Sequence, residues 1–231
     1  MSDSFEQGDL YYQLELATPK STKVPVVSNW VYMGSEDPKY EGQHLFALLG
    51  LTLEKGWHAS PAVQRFSTYD AAVQKMKTGE EFVKIIGDIL NEPSMLEWRD
   101  AQIDSLNPAT SDLVHSDECA DDDSAQRSDR FGPGRMFYEN SCLKLPGQPY
   151  FYHVQTYMCV GFSHYCPAGV AWKFSRVASR NGEMFPWGFT GVSVDDKNSE
   201  NRLSWYDFCA NVQKTYEGVL ELRQRYPPDR L

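Results

Sequence analysis

Residues 150–162 read YFYHVQTYMCVGF, and this stretch decides the fold class because it is rich in the aromatic and β-branched residues that favour strands. Successive side chains of a strand point to opposite faces of its sheet. One face then carries His153, Gln155, Tyr157 and Cys159. The other carries Tyr152, Val154, Thr156, Met158 and Val160, which we predict to be core.

The polar face of this predicted strand has two possible roles. It can bind a ligand, or it can hold a catalytic pair with Cys159 as the nucleophile and His153 as its base. A free cysteine is more commonly a small buried hydrophobe, and the polar face can instead lie under a helix. Both interpretations stay open at the level of sequence.

The rest of the C-terminal half repeats the strand pattern. Aromatic and β-branched runs bounded by Gly, Pro, Asn or Asp occupy residues 136–138, 169–178 and 188–194. Ser204 can cap a helix that ends before Pro227. The sequence therefore predicts a mostly antiparallel sheet in the C-terminal half and a closing C-terminal helix.

The first 40 residues predict an extended arm. Tyr12, Leu14 and Leu16 alternate with polar residues, as in a short strand, and a second strand can follow across residues 26–33. Prolines at positions 19, 25 and 38 interrupt the segment. We therefore expect residues 1–40 to form an arm that is available to a partner.

Residues 42–107 favour helices. Leucines at mixed spacings of three and four between residues 45 and 53 predict a buried helix. Further helices have capping residues at their starts, namely Thr68, Thr78 with Glu81, and Ser94 with Glu97. The N-terminal half is therefore predicted to be helical after its arm.

A run of acidic residues separates the two halves. Its six carboxylates belong to Asp112, Asp117, Glu118, Asp121, Asp122 and Asp123. Such a block is typical of a solvated loop, and it lacks the ligand order of a calcium-binding EF-hand. Because no internal repeat is evident, we predict one α+β domain over residues 1–231, with residues 108–135 as an acidic loop.

The overall charge limits the class of partner. The chain has 231 residues, with 22 basic and 32 acidic side chains and a formal net charge of −10. This balance argues against a nucleic-acid partner, because phosphate binding needs clustered Lys and Arg.

The apolar runs are shorter than the roughly 20 residues of a membrane helix. Acids at the start of the chain, and five cysteines at irregular spacing, lead us to expect a cytoplasmic protein.

One pattern suggests a metal site. His115 and Asp117, followed by His164, supply two imidazoles and a carboxylate, which is the ligand triad of non-haem iron oxygenases. With Arg176 beyond His164, the pattern resembles the distal-histidine strand of the 2-oxoglutarate-dependent oxygenases. The resemblance implies iron held by His115, Asp117 and His164, with 2-oxoglutarate as co-substrate and its carboxylate bound by Arg176.

Other enzyme signatures are missing from the sequence. It contains no G-x-x-x-x-G-K-[ST] loop, no G-x-G-x-x-G motif, no H-E-x-x-H motif and no C-x-x-C pair. The usual signatures of nucleotide, dinucleotide and zinc sites are therefore absent, and the sequence favours a role in binding.

Large apolar side chains cluster between residues 184 and 189, where the sequence suggests a turn between strands. Turns usually lie at the surface, so Met184, Phe185, Trp187 and Phe189 are predicted to form an interface, although the segment can instead fold back over the core. We therefore predict a protein–protein interaction or assembly subunit without catalytic activity. It would dock a protein partner or a second copy of itself through the arm and this segment. The alternative is the iron-dependent oxygenase.

Overall fold

The structure is a computed structural model of the chain. It describes residues 5–18, 23–34, 42–52, 56–92, 131, 133–145, 148–163, 171–193 and 201–227. We call residues 5–92 the N-terminal half and residues 131–227 the C-terminal half.

The described residues form eight strands and three helices. The N-terminal half contains β1 (Leu10–Ala17), β2 (Val24–Gly34), β3 (His44–Thr52), β4 (Gly56–Phe66), α1 (Tyr69–Lys75) and α2 (Gly79–Leu90). The C-terminal half contains β5 (Met136–Leu143), β6 (Phe151–Ser163), β7 (Ala171–Arg180), β8 (Glu183–Ser193) and α3 (Trp205–Arg225). None of these three helices is long and apolar enough to cross a membrane.

The eight described strands join one antiparallel sheet that curls into a nearly closed barrel. Its strand order is β4-β3-β2-β6-β7-β8, with β1 paired to β2 and β5 paired to β6. The two halves meet where β2 pairs with β6, at Ser28 and Gln155. Each end strand of this order contains a proline, Pro61 in β4 and Pro186 in β8. Because proline lacks the N–H that strand pairing needs, both ends discourage the addition of another strand.

The N-terminal half is built mainly of strands, so the prediction of a helical N-terminal half after an extended arm is wrong. The predicted arm forms β1 and β2 within the sheet, and the predicted leucine-rich helix is β3. Residues 45–50 are all buried, and an unbroken apolar run is what a strand covered on both faces requires. Leucine favours helices, but pairing with β2 and β4 overrides that preference here.

The helix starts predicted from capping residues are confirmed at three places. Thr68 caps α1, Thr78 and Glu81 form a complete capping box at α2, and Ser204 caps α3. Strands also occur where the C-terminal half was predicted to have them, although β8 begins earlier than expected. The helix predicted from Ser94 and the acidic residues 112–123 lie outside the described residues.

The two halves repeat one arrangement around a local twofold axis. In each half four antiparallel strands follow one another and then lead into a helix, and α2 packs against α3. Ser28 and Gln155, which occupy corresponding positions in β2 and β6, pair with each other where this axis passes. The β-bulges at Tyr32/Gly34 and Cys159/Gly161 also correspond. The repeat is therefore visible in the strand register although it is not evident in the sequence.

Two tyrosines join the halves in a reciprocal way. The hydroxyl of Tyr12 in β1 donates to the carbonyl oxygen of Tyr152 in β6 at 3.0 Å. The hydroxyl of Tyr138 in β5 donates to the carbonyl oxygen of Pro25 in β2 at 2.8 Å. Each half thus satisfies a backbone acceptor on the central strand of the other.

The start of each long helix is fixed to the sheet at the same point. The backbone of Tyr12 pairs with Lys77, which precedes the N-cap of α2, and the backbone of Tyr138 pairs with Leu203, which precedes the N-cap of α3. These bridges set the register that relates the helices to the strands. Residues just before either helix can therefore be compared between the halves as well.

The main core lies between the sheet and the helices α2 and α3. Its largest fully buried members include Tyr138, Tyr152, Phe82, Trp205 and Phe208. The face of the sheet turned away from these helices, which we call the inner face, packs two further clusters centred on Phe46 and Phe174. These two inner clusters hold corresponding positions in the two halves, and the polar residues beside them differ.

Candidate functional site

Charged side chains lie on the inner face of the C-terminal half. Five residues form the group that we call the charged cluster: Glu139 on β5, His153 and Tyr157 on β6, Arg176 on β7, and Arg202 just before α3. The strand register places different residues at the corresponding positions of the N-terminal half, namely Gln13, Val26, Trp30, Leu48 and Met76. The cluster is therefore particular to one half of a repeated fold.

Glu139 is the centre of a closed hydrogen-bond network. Arg202 Nη1 donates to Glu139 Oε2 at 2.8 Å, and the two side chains are only 7% and 15% exposed. The Tyr157 hydroxyl donates to the same carboxylate oxygen at 2.9 Å. The Arg202 guanidinium also stacks on the Tyr157 ring, 3.7 Å from its centroid. The carboxylate and this guanidinium therefore neutralise each other.

The protonation states in this network follow from burial and neighbouring charge. Burial raises the pKa of Glu139, but the positive charges of protonated His153 and of Arg202, with the hydrogen bonds from Tyr157 and Arg202, outweigh it and lower the pKa overall. Burial raises the pKa of Tyr157, and the charge of Glu139 adds to that rise. At neutral pH, Glu139 is therefore ionised and Tyr157 keeps its proton.

His153 is a neutral imidazole with an unused ring nitrogen. His153 is 6% exposed, and burial lowers its pKa to about 4. Glu139 opposes this shift, whereas Arg176 and Arg202 add to it. Within the described part of the chain, Nδ1 of His153 is buried and has no hydrogen-bond partner. A buried polar atom of this kind is normally paired, so His153 has room for one more contact.

Arg176 is the cation that the cluster leaves uncompensated. Its Nε is buried and finds no hydrogen-bond partner in the described ranges. Its guanidinium lies over the ring of Trp187, with 5.3 Å from Cζ to the centroid. The indole Nε1 of Trp187 is likewise buried without a partner among the residues described. Both side chains are partly exposed as a whole, so this end of the cluster reaches the surface.

The N-terminal half has neutral residues at the positions that correspond to the charged cluster, and beside them Glu15, whose side chain is 10% exposed, pairs with Lys75 of α1. Gln64 Nε2 donates to Gln13 Oε1 at 3.0 Å, which is the neutral counterpart of the contacts to Glu139. Met76, 2% exposed, occupies the position of Arg202, and Leu48, 1% exposed, occupies that of Arg176. The backbone arrangement therefore does not require ionised residues at these positions.

Of the catalytic residues considered from the sequence, the structure brings two together and separates the third. His153 and Arg176 lie close enough for their charges to interact. Cys159 is six positions further along β6 than His153, which at the rise of a strand is about 20 Å. It is fully buried in the inner aromatic cluster with Phe137 and Phe174. A nucleophilic pair of Cys159 and His153 is therefore not formed.

Sequence reasoning missed Glu139 and Arg202. Glu139 follows an aromatic run that predicted a strand only as far as residue 138, and its alternation with Tyr138 was a usable sign that it shares the inner face. A single acid on such a face is uncommon unless it is paired. No local sequence pattern identifies Arg202 as a site residue, because its partner Glu139 lies 63 positions away in the chain.

The metal triad predicted from the sequence cannot be placed, because His115, Asp117 and His164 all lie outside the described residues. In the part of the chain that is described, no group of three or more His, Cys, Asp and Glu side chains is arranged to hold a metal ion. The iron and 2-oxoglutarate of that resemblance stay predictions.

The predicted interface residues lie in β8 and not in a turn. The turn between β7 and β8 is formed by Asn181 and Gly182, whose φ angles are 55° and 78°. Phe189 is 51% exposed, and Lys173 Nζ lies 4.9 Å from the centroid of its ring. The other three, Met184, Phe185 and Trp187, pack partly buried against the core clusters. Exposure at this segment is therefore centred on Phe189.

A separate cavity of about 260 Å³ lies between the start of α2 and the end of α3. Tyr12 and Tyr216 form part of its wall, and its charged residues are Asp9 and Arg223. Arg223 Nε also donates to the carbonyl oxygen of Tyr150 at 2.5 Å. Because one acid faces one base, this cavity has no excess charge with which to select an ion.

No family model, curated protein or solved structure matches the chain. The observations that bear on function are thus the charged cluster and its neutral counterpart in the N-terminal half.

Proposed function

We propose that the protein is a non-catalytic binding protein that holds a small anionic ligand against the charged cluster. The observation that carries this proposal is Arg176, a partly buried arginine that has a buried Nε without a hydrogen-bond partner and no acidic partner among the described residues. An anion beside Arg176 would supply the missing partner. Arginine is well suited to this, because its planar donors match carboxylate and phosphate groups.

The energetic argument starts from hydration. An ion moved from water into a protein interior loses on the order of several kcal/mol of hydration free energy, unless a partner replaces the water. Glu139 and Arg202, 2.8 Å apart, replace the lost water for each other. Arg176, which is partly exposed, has no acidic partner among the described residues, and Leu48 at the corresponding position shows that the fold accepts an apolar residue there. The guanidinium is therefore better explained by recognition than by folding.

The contacts of the cluster favour binding over covalent chemistry. The Tyr157 hydroxyl is committed to Glu139, and its pKa is raised, so it is a poor nucleophile. His153 has no thiol or hydroxyl hydrogen-bonded to it in the described structure, and a base of this type needs one to activate. The cluster thus offers hydrogen bonds and charge, which position a ligand.

Thermal unfolding in different sodium salts tests the proposal. We expect acetate, sulfate or phosphate to raise the melting temperature above that in chloride at equal ionic strength. Binding at ten times the Kd is worth a rise of about 3 °C for a chain of this size. Arg176→Leu, which installs the residue of the other half, should abolish the rise while leaving the protein folded.

Arg180→Leu is the matched control, because this exposed arginine lies on the same strand and stacks on Phe185 instead. It should keep the full response to anions. The proposal is wrong if the wild-type protein responds to none of the three anions, or if Arg176→Leu responds as the wild type does.

The role as an assembly subunit stays a prediction. Its arm is now accounted for by β1 and β2, so Phe189 and its neighbours on β8 are the part of that hypothesis that can still be tested, by the oligomeric state of a Phe189 variant.

A further inference from the structure

We infer that the anionic ligand is a monocarboxylate with a short apolar body, bound through Arg176 and Trp187. This inference rests on the proposed function and goes beyond it, because it names the charge, the chemical group and the shape of the ligand.

The number of charges comes from the cluster itself. Glu139 and Arg202 cancel, His153 is neutral at pH 7, and Arg176 leaves one positive charge over. A monoanion beside Arg176 balances this charge. A dianion such as hydrogen phosphate would leave one excess negative charge near ionised Glu139, where the interior screens repulsion poorly.

The chemical group is indicated by two N–H donors that lack acceptors. Arg176 Nε and Trp187 Nε1 are both buried and have no hydrogen-bond partner among the described residues, and their side chains stack on each other. A carboxylate has two oxygens with about four lone-pair directions, so one such group can accept from both donors. An unpaired buried donor is unfavourable, so binding an acceptor would lower the free energy of the protein.

The apolar body is indicated by what surrounds Trp187. Its indole packs against the inner cluster of the N-terminal half together with Phe185, Phe66 and Ala62, all of them partly buried. Each of these apolar residues is itself partly exposed. A small hydrocarbon or ring attached to the carboxylate would therefore bury apolar surface there.

The role of Trp187 can be separated from that of the charge. Trp187→Phe keeps an aromatic ring under Arg176, removes the N–H donor and makes the ring system smaller. We expect it to weaken binding of a carboxylate by about tenfold, which is the usual size of one hydrogen bond. Arg176→Lys keeps the charge but loses the planar donor, and it should weaken binding by at least the same factor.

Isothermal titration calorimetry of the full chain with sodium benzoate, acetate, phosphate and sulfate tests the inference. We expect benzoate to bind more tightly than acetate, and both more tightly than phosphate or sulfate at pH 7. If phosphate or sulfate binds best, or if Trp187→Phe leaves benzoate affinity unchanged, the monocarboxylate inference fails while the proposed anion-binding function survives. If none of the four binds, both fail together.

Discussion

The two halves of the molecule share a backbone arrangement and differ in what they bury. Strand order, the bulges that end at Gly34 and Gly161, the positions of the helix caps and the reciprocal tyrosine hydrogen bonds correspond in both. At the positions compared, the N-terminal half has neutral residues, with the Glu15–Lys75 pair beside them, whereas the C-terminal half has the Glu139–Arg202 pair, Arg176 and His153. The difference teaches that the features shared by the halves do not depend on the charged cluster, which only one half carries.

One shared feature shows how the backbone sets its own sequence requirement. Gly34 and Gly161 end the corresponding bulges with φ angles of 105° and 123°. This region is readily reached only by glycine, because other residues place a Cβ too close to the backbone. The glycine therefore recurs in both halves while the neighbouring side chains differ.

The largest effect is expected when one charge of the ion pair is removed. Glu139→Gln installs the residue of the other half but leaves Arg202 buried without its carboxylate. We expect the free energy of unfolding to fall by about 3 to 5 kcal/mol, as for other broken buried pairs. Urea denaturation followed by circular dichroism measures it.

The matched control is the double variant Glu139→Gln with Arg202→Met, which reproduces the pair formed by Gln13 and Met76. It should recover most of the lost stability, because no buried charge is left uncompensated. A double variant that is no more stable than Glu139→Gln alone would show that the two halves are not comparable at this position.

A smaller effect is expected from pH. The pKa of His153 is about 4 in the folded protein, and it is about 6.5 in an unfolded chain. Between these values the unfolded chain binds a proton that the folded chain excludes, so stability falls as the pH is lowered. The loss should reach about 3 kcal/mol by pH 4. Glu139, whose pKa is lowered, adds a further loss at more acidic pH.

His153→Val, which installs the residue found at position 26, should make stability less dependent on pH between 6.5 and 4. The absolute stability of this variant at pH 7 does not enter the comparison, because the slope is what histidine titration controls. Superimposable pH profiles for the variant and the wild type would contradict the assignment of a buried neutral imidazole.

The smallest effect is expected at the tyrosines that join the halves. Tyr12→Phe and Tyr138→Phe each remove one hydroxyl that donates across the junction. Each should lower the free energy of unfolding by about 1 kcal/mol, the typical net value of such a bond. Tyr226→Phe, at a position that is 49% exposed, is the control and should change nothing measurable. Unequal losses at the two junction tyrosines would show that the twofold relation does not extend to energetics.

Part of the fold could be predicted because its signals are local. The caps at Thr68, Thr78 and Ser204 each satisfy backbone donors within three residues, so sequence alone reveals them. Strand β3 could not be separated from a helix, because a run buried on both faces has no alternation to read. The repeat was hidden because corresponding positions hold such different pairs as Leu48 and Arg176.

The candidate site was predictable to a similar degree. Alternation along residues 150–162 placed His153 and Tyr157 on one face, and both do belong to the charged cluster. The same alternation also put Cys159 on that face, but it assigns faces without measuring distance along the strand, and Cys159 lies six positions from His153. Arg202 could not be found, since only the folded chain brings it to Glu139.

The reciprocal tyrosine bonds also bear on how the chain folds while it is being made. The acceptor of Tyr12 lies 140 positions later in the sequence. At ribosomal rates of roughly 5 to 20 residues per second, the first half waits on the order of ten seconds for the strand that completes it. During that interval β2 lacks its central neighbour, and the main core lacks the apolar residues of α3. The nascent chain is therefore a stronger client for chaperones than the finished protein.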